Sequence, residues 1–166
     1  VSLAEQLKSS EGSTFNAYAS LREINRILAE EGSESAIAYA RTKFISQPSL
    51  ALAYRLAQLY ASEAKDREAV EVLKIIRFMT RFSSDDFVLV QKIANFLHKL
   101  DEGEMAFNIY KNLLEERDLD KQLKISLYQG GAEVAAAQNE PVIASRWDLE
   151  ARKLKSPPTP KPTNGK

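Results

Sequence analysis

The chain has 166 residues, 44% hydrophobic and 28% charged, a composition that suits one folded domain with a sizeable core rather than a disordered or fibrous chain. Its 23 Lys and Arg balance its 23 Asp and Glu, so no net field draws it to nucleic acid or to an anionic membrane, and nucleic acid is set aside as a partner. With no Cys there is no disulfide framework, thiolate nucleophile or Cys-containing zinc site, and cytoplasm and periplasm are equally compatible locations.

Residues 1–13 read as an N-terminal arm; VSLAEQLKSSEGS has no basic region followed by an apolar core, and Val1 in place of Met reads as a processed or excised start. Ser13 and Thr14 offer cap oxygens to a helical run through Leu21, Ile24 and Leu28, which Gly32-Ser33 ends while opening a second helix that Pro48 stops after Ile45. A third helix is expected from about Ser49 to Glu63 and a fourth from Asp66 to about Thr80. Ser83, Ser84, Asp85 and Asp86 would supply N-cap oxygens for a fifth reaching Leu100, and Gly103 marks the next turn. The sixth covers about Glu104 to Glu116, and the seventh starts after Asp118 or Asp120. Asn139-Glu140-Pro141 closes the seventh and opens an eighth, since Pro fits a first helical turn. No segment has a strand pattern, and no apolar run approaches the roughly 18 residues of a membrane span, so membrane insertion is not expected. Residues 155–166, rich in Pro and free of acids, read as a disordered tail or linker.

Eight helices in four hairpins suit a bundle or a solenoid, and a recurring interval favours the solenoid. A small or branched residue of the first helix precedes one of the second by 12 positions in Ile24 and Ala36, Ala57 and Ala69, Ala94 and Ala106, and Gly131 and Ile143. Two antiparallel helices approach closely where one presents Ala or Gly, and a bulky residue one turn away fills the neighbouring hole.

These residues resemble the tetratricopeptide repeat, a helix-turn-helix unit of about 34 residues. Leu56-Ala57, Tyr60, Ala69 and Leu73 take its pattern positions in the central repeat, and Ile93-Ala94, Leu97, Ala106 and Tyr110 in the next. Gly130-Gly131, Val134, Ile143 and Trp147 take them in the fourth, and Ile24, Ile27, Ala36 and Pro48 in the first. The resemblance implies an all-α, right-handed α-solenoid of about four repeats over residues 14–154, with a concave groove for an extended peptide or a partner helix. The Pro of the pattern is missing after the central and third repeats.

On the helix faces that would line this groove stand Arg22 with Asn25, Arg55 with Gln58, and Lys92 with Asn95, each pair three residues apart and so on one face. Such a ladder could hold an acidic side chain and the backbone of a bound peptide; it also fits an ordinary solvated face. The fourth repeat breaks it with Gln129 and Ala132. Chaperone-binding members of the family place a basic residue where this chain has Leu21, Tyr54, Gln91 and Tyr128, so that carboxylate clamp is not expected. Tyr18, Tyr54 and Tyr128 suit either a groove or the packing between repeats.

A single His, His98, has no second His or Cys to make a metal site or nucleophile pair; Asp85-Asp86 fit a helix start, and Gly130-Gly131 lie mid-helix as close-packing sites. No catalytic residue, metal or cofactor is assigned. The expected function is a non-catalytic scaffold or adaptor that binds a protein or peptide, with a homo-oligomer compatible. The alternative is a small chaperone of a secretion or envelope-assembly system, matched in size and architecture.

Overall fold

The computed structural model describes residues 13–78 and 82–157, with side chains over 17–77 and 82–157. The expectations for residues 1–12, for the end of the fourth helix at 79–80 and for the tail from 158 onward lie outside these. Among the described residues the chain is all-helical: α1 (Ser13–Glu31), α2 (Ser33–Ser46), α3 (Leu50–Ser62), α4 (Asp66–Leu73), α5 (Phe87–Lys99), α6 (Gly103–Leu114), α7 (Lys121–Ala137) and α8 (Pro141–Lys155).

Local chemistry starts several of these helices. Ser49 Oγ accepts the Leu52 N–H at 3.1 Å and Asp120 Oδ1 accepts the Leu123 N–H at 2.8 Å, each satisfying a donor that has no partner inside the helix. Pro141 opens α8, where its missing N–H is harmless. Ser83 makes no side-chain cap bond; a short 3-10 turn, Ser84–Asp86, leads into α5 instead. The fourth helix also departs from expectation, changing after Leu73 to 3-10 winding over Lys74–Phe78. Ile75 and Ile76 in this tighter winding are both buried in the core.

The four hairpins share a backbone device. The N–H groups of Gly32, Lys65, Glu102 and Glu140 each reach back five residues, to the carbonyls of Ile27, Tyr60, Leu97 and Ala135, at 2.9 to 3.1 Å. The carbonyls of the same four residues then accept the N–H groups of Ala36, Ala69, Ala106 and Ala144, opening the second helix. In the last three turns the preceding residue is left-handed, with φ of 59° at Ala64, 61° at Asp101 and 58° at Asn139, which ends the helix in a Schellman turn. At the first turn Gly32 itself takes the positive φ, 95°. Gly103, expected at a turn, is instead the buried first residue of α6.

Counted from these bonds, the 12-residue interval holds in all four hairpins, with one correction. The fourth pair is Ala132 and Ala144, not Gly131 and Ile143, so the expected register of that hairpin is one residue out. Ile24, Ala57, Ala94 and their partners Ala36, Ala69 and Ala106 are all fully buried.

Packing follows chain order. Within each hairpin the two helices pair; between hairpins α1 packs on α3, α3 on α5 and α5 on α7, while α2, α4 and α6 each pack on the next hairpin's first helix. One apolar core runs through the array from Ala17 to Ala135. The central helix α3 is covered on both sides and buries Leu52, Ala53, Leu56, Ala57, Leu59 and Tyr60, three adjacent pairs of positions that make one broad apolar face. In α8, with a neighbour on one side, only Ala151 is fully buried.

Two stability outcomes follow from this packing. Leu56→Ala should lower the unfolding free energy by about 2–5 kcal/mol in urea titration, because Leu56 is enclosed and its removal leaves a cavity; a loss under about 1 kcal/mol would contradict its placement. Ala64→Gly should raise stability by about 0.5–1 kcal/mol, since Gly relieves the left-handed strain of an exposed Ala, and a loss of stability would show that Ala64 is not left-handed.

Candidate functional site

Because the turn fixes the phase of each hairpin, it also fixes which polar residues stand in line. Counted from the same bonds, Arg22, Arg55 and Lys92 occupy one position on α1, α3 and α5, and Asn25, Gln58 and Asn95 occupy the position three residues on. These helices lie side by side. Arg22, Asn25, Lys92 and Asn95 are exposed, while Arg55 and Gln58 are half-buried. The fourth hairpin places Gly130 and Glu133 at these two positions, where Gln129 and Ala132 were expected.

Two of the amides are held by other side chains of the protein. Arg55 Nη2 donates to Asn25 Oδ1 at 2.9 Å, linking the first two hairpins across the row. The Tyr110 hydroxyl donates to Asn95 Oδ1. Tyr110 belongs to α6 and is fully buried, so its hydroxyl reaches the row from behind. Burial pushes its phenol above the ordinary tyrosine range, while hydrogen bonds with Gln91 and Asn95 act in the opposite direction. Gln91 Nε2 also donates to Ser126 Oγ at 2.9 Å, joining α5 to α7.

Gly130 is what makes this reach possible: a Cβ there would fall on the Tyr110 hydroxyl. A Cβ on Gly131 would come 2.9 Å from Trp147 Cε3, so the second glycine admits the indole of α8. Both glycines are close-packing positions, as their mid-helix place suggests.

The arrangement leaves hydrogen-bond donors facing out. The oxygens of Asn25 and Asn95 are occupied internally, so each amide has its NH2 group left to offer. None of Arg22, Arg55 and Lys92 pairs with a carboxylate among the described residues. The nearest acids in sequence on α1, Glu23 and Glu30, are held by Arg26. Arg22 lies over the Tyr18 ring, 5.7 Å from its centre. The helices α3, α5 and α7 carry Arg55, Lys92, Lys99, Lys121 and Lys124 against one acid, Glu133, a local basic excess in a chain whose total charge is zero.

The tyrosines divide. Tyr18 is 63% exposed. Tyr54 is half-buried and meets Phe96 of α5 edge-on, ring centres 5.8 Å apart, so its ring packs between hairpins. Tyr128 is half-buried, and burial together with Glu150 of α8 pushes its phenol upward. In the turn-counted register Gln129, not Tyr128, stands with Tyr54 and Gln91, so this column carries no basic residue.

Elsewhere, a cleft of about 660 Å³ opens between the 3-10 turn after α4 and α6, lined by Lys74, Arg77, Lys111, Glu102, Glu104 and Glu115 among others. Its charges are mixed, Lys74 pairs with Glu71 at 2.7 Å, and no residue of the row lines it. His98 is half-buried in the last turn of α5. Among the described residues no three His, Cys, Asp or Glu converge as metal ligands, and no helix is long and apolar enough to cross a membrane.

No protein-family model matches the chain, and a search of curated proteins gives no match either.

Sequence reasoning found the cations and amides of the row but missed Tyr110 as the group behind Asn95, and Glu133 as the row's last charge. The signal for Glu133 was present, since counting back from Asn139 instead of matching Gly131 to Ala57 reaches it. Gly130→Ala should cost about 1–3 kcal/mol by forcing the Tyr110 ring aside. In a Tyr110→Phe background, where the hydroxyl is gone, the same change should cost measurably less. Equal costs in the two backgrounds, measured by urea titration, would show that the two residues do not meet.

Proposed function

We propose that the four hairpins form a right-handed α-solenoid of the tetratricopeptide kind and that the chain is a non-catalytic scaffold. It binds an extended peptide or protein segment along α1, α3, α5 and α7 and so assembles a larger complex. Arg22, Arg55 and Lys92 take carboxylates of that segment, and Asn25, Gln58 and Asn95 bond its backbone or flank its acids. Tyr18 adds an apolar contact at one end.

The observation that carries this reading is the row itself: three cations at one turn-counted position on adjacent helices, without carboxylate partners among the described residues, beside amides of which Asn25 and Asn95 have oxygens already bonded within the protein. Stability gains little from aligning Arg22 and Lys92, because both are exposed and exposed charges contribute little to it. The packing of each hairpin on its sequence neighbours supports the solenoid, as does the shared turn.

The test is to cross-link tagged chain in extract of the source cell, comparing wild type with an Arg55→Glu, Lys92→Glu double variant. Wild type should retain a defined partner with cross-links to α3 and α5. The variant should lose it at least tenfold by reversing the row's charge, with a thermal midpoint within about 2–4 °C of wild type. Undiminished capture by the variant would place the interface elsewhere.

A further inference from the structure

We propose that the segment taken by the row is bipolar: its carboxylates, three residues apart, face Arg22, Arg55 and Lys92, and a Lys or Arg beyond them faces Glu133. This rests on the row being the binding face and specifies what the row selects.

The charge order comes from the turn-counted register. Across the first three hairpins the two row positions read Arg and Asn, Arg and Gln, then Lys and Asn. In the fourth they read Gly130 and Glu133, so the sign reverses at one end. Glu133 is exposed and has no ion pair among the described residues. The Asn25 oxygen accepts from Arg55 along the row, and the Asn95 oxygen accepts from the buried Tyr110. The first three hairpins therefore present cations, with the amide NH2 groups of Asn25 and Asn95 beside them, a set that rewards acceptors and rejects a basic side chain. Gly130 offers no side chain, because one would displace Tyr110, so Glu133 is the only charged group at the fourth hairpin's row positions. A uniformly acidic segment would place like charges together there, and a terminal cation removes that penalty.

Spacing sets the rest. Packed helices lie about 8–10 Å apart, and an extended segment in the polyproline II conformation rises about 3.1 Å per residue with three residues per turn, so residues three apart stand on one face and each hairpin passes about three residues of ligand. The recognised pattern is thus acid, two residues, acid, two residues, acid, with a Lys or Arg about three or four residues further on. Glu133 allows the cation at only one end, which fixes the direction of the bound segment.

The test uses the whole chain against a displayed library of random peptides of about ten residues. Wild type should enrich acids three apart with a Lys or Arg at one end, always the same end. Glu133→Lys should keep the acidic spacing, weaken the selected peptide about tenfold, and recover affinity when that peptide's terminal cation is changed to Glu. Enrichment of the acidic spacing with no preference for a terminal cation, or failure of the charge swap to restore affinity, overturns the bipolar assignment and leaves the binding face intact. No enrichment, or peptides that bind equally well to the Arg55→Glu, Lys92→Glu variant, overturn both.

Discussion

In each hairpin a backbone N–H reaches back five residues to a carbonyl, and the position of that bond decides which residue of the second helix meets which residue of the first. The left-handed residue that permits it costs energy when it is not Gly, as at Ala64, Asp101 and Asn139. It also satisfies carbonyls that a frayed helix end would leave to water. What it secures is phase. With Ile27, Tyr60, Leu97 and Ala135 as acceptors, the Ala of each second helix starts four residues past the turn and comes to a close approach, so bulky neighbours such as Leu56 and Ile93 can be enclosed. A fully buried Leu contributes about 1.5–3 kcal/mol, and the core is a series of such sites repeated from hairpin to hairpin.

The same phase acts on the opposite face. Once the apolar positions of α1, α3 and α5 are locked together, their polar positions are locked too, and Arg22, Arg55 and Lys92 stand in file with Asn25, Gln58 and Asn95. Polar links within and behind the file reinforce the order. Arg55 ties the first hairpin to the second through Asn25, and Tyr110 crosses from the second helix of the third hairpin to Asn95 through the gap left by Gly130. A buried phenol whose hydroxyl emerges beside a row of cations, through an opening that only glycine allows, ties the core's geometry to the surface chemistry. Change in one should therefore be felt in the other.

Much of the fold was legible because its signals are local. The 12-residue interval, the helix starts near Ser49 and Asp120 and the Pro of α8 all show in the letters, as does the absence of any alternating apolar pattern. The switch to 3-10 winding after Leu73 was not legible: KIIRF has no Gly or Pro to mark it, and its two adjacent Ile read as well as a continued α-helix. The fourth register slipped because Gly130-Gly131 resembles a small-residue pair from the repeat pattern, whereas the structure needs those glycines for Tyr110 and Trp147. In the site, the three-residue spacing of cation and amide could be read. The direction each amide faces could not, because it is set by side chains 15 and 30 residues away.

The central claim is that the hairpins advance in one direction and carry the row with them. A chain without Cys allows clean spin labelling, and pulsed electron-spin distances from a label at Arg22 to labels at Arg55, Lys92 and Glu133 in turn test it most directly. The account predicts distances that lengthen at every step, by about 8–10 Å per hairpin. A label at Glu133 no farther from Arg22 than the label at Arg55 would mean that the helices close into a bundle, and the row would not exist.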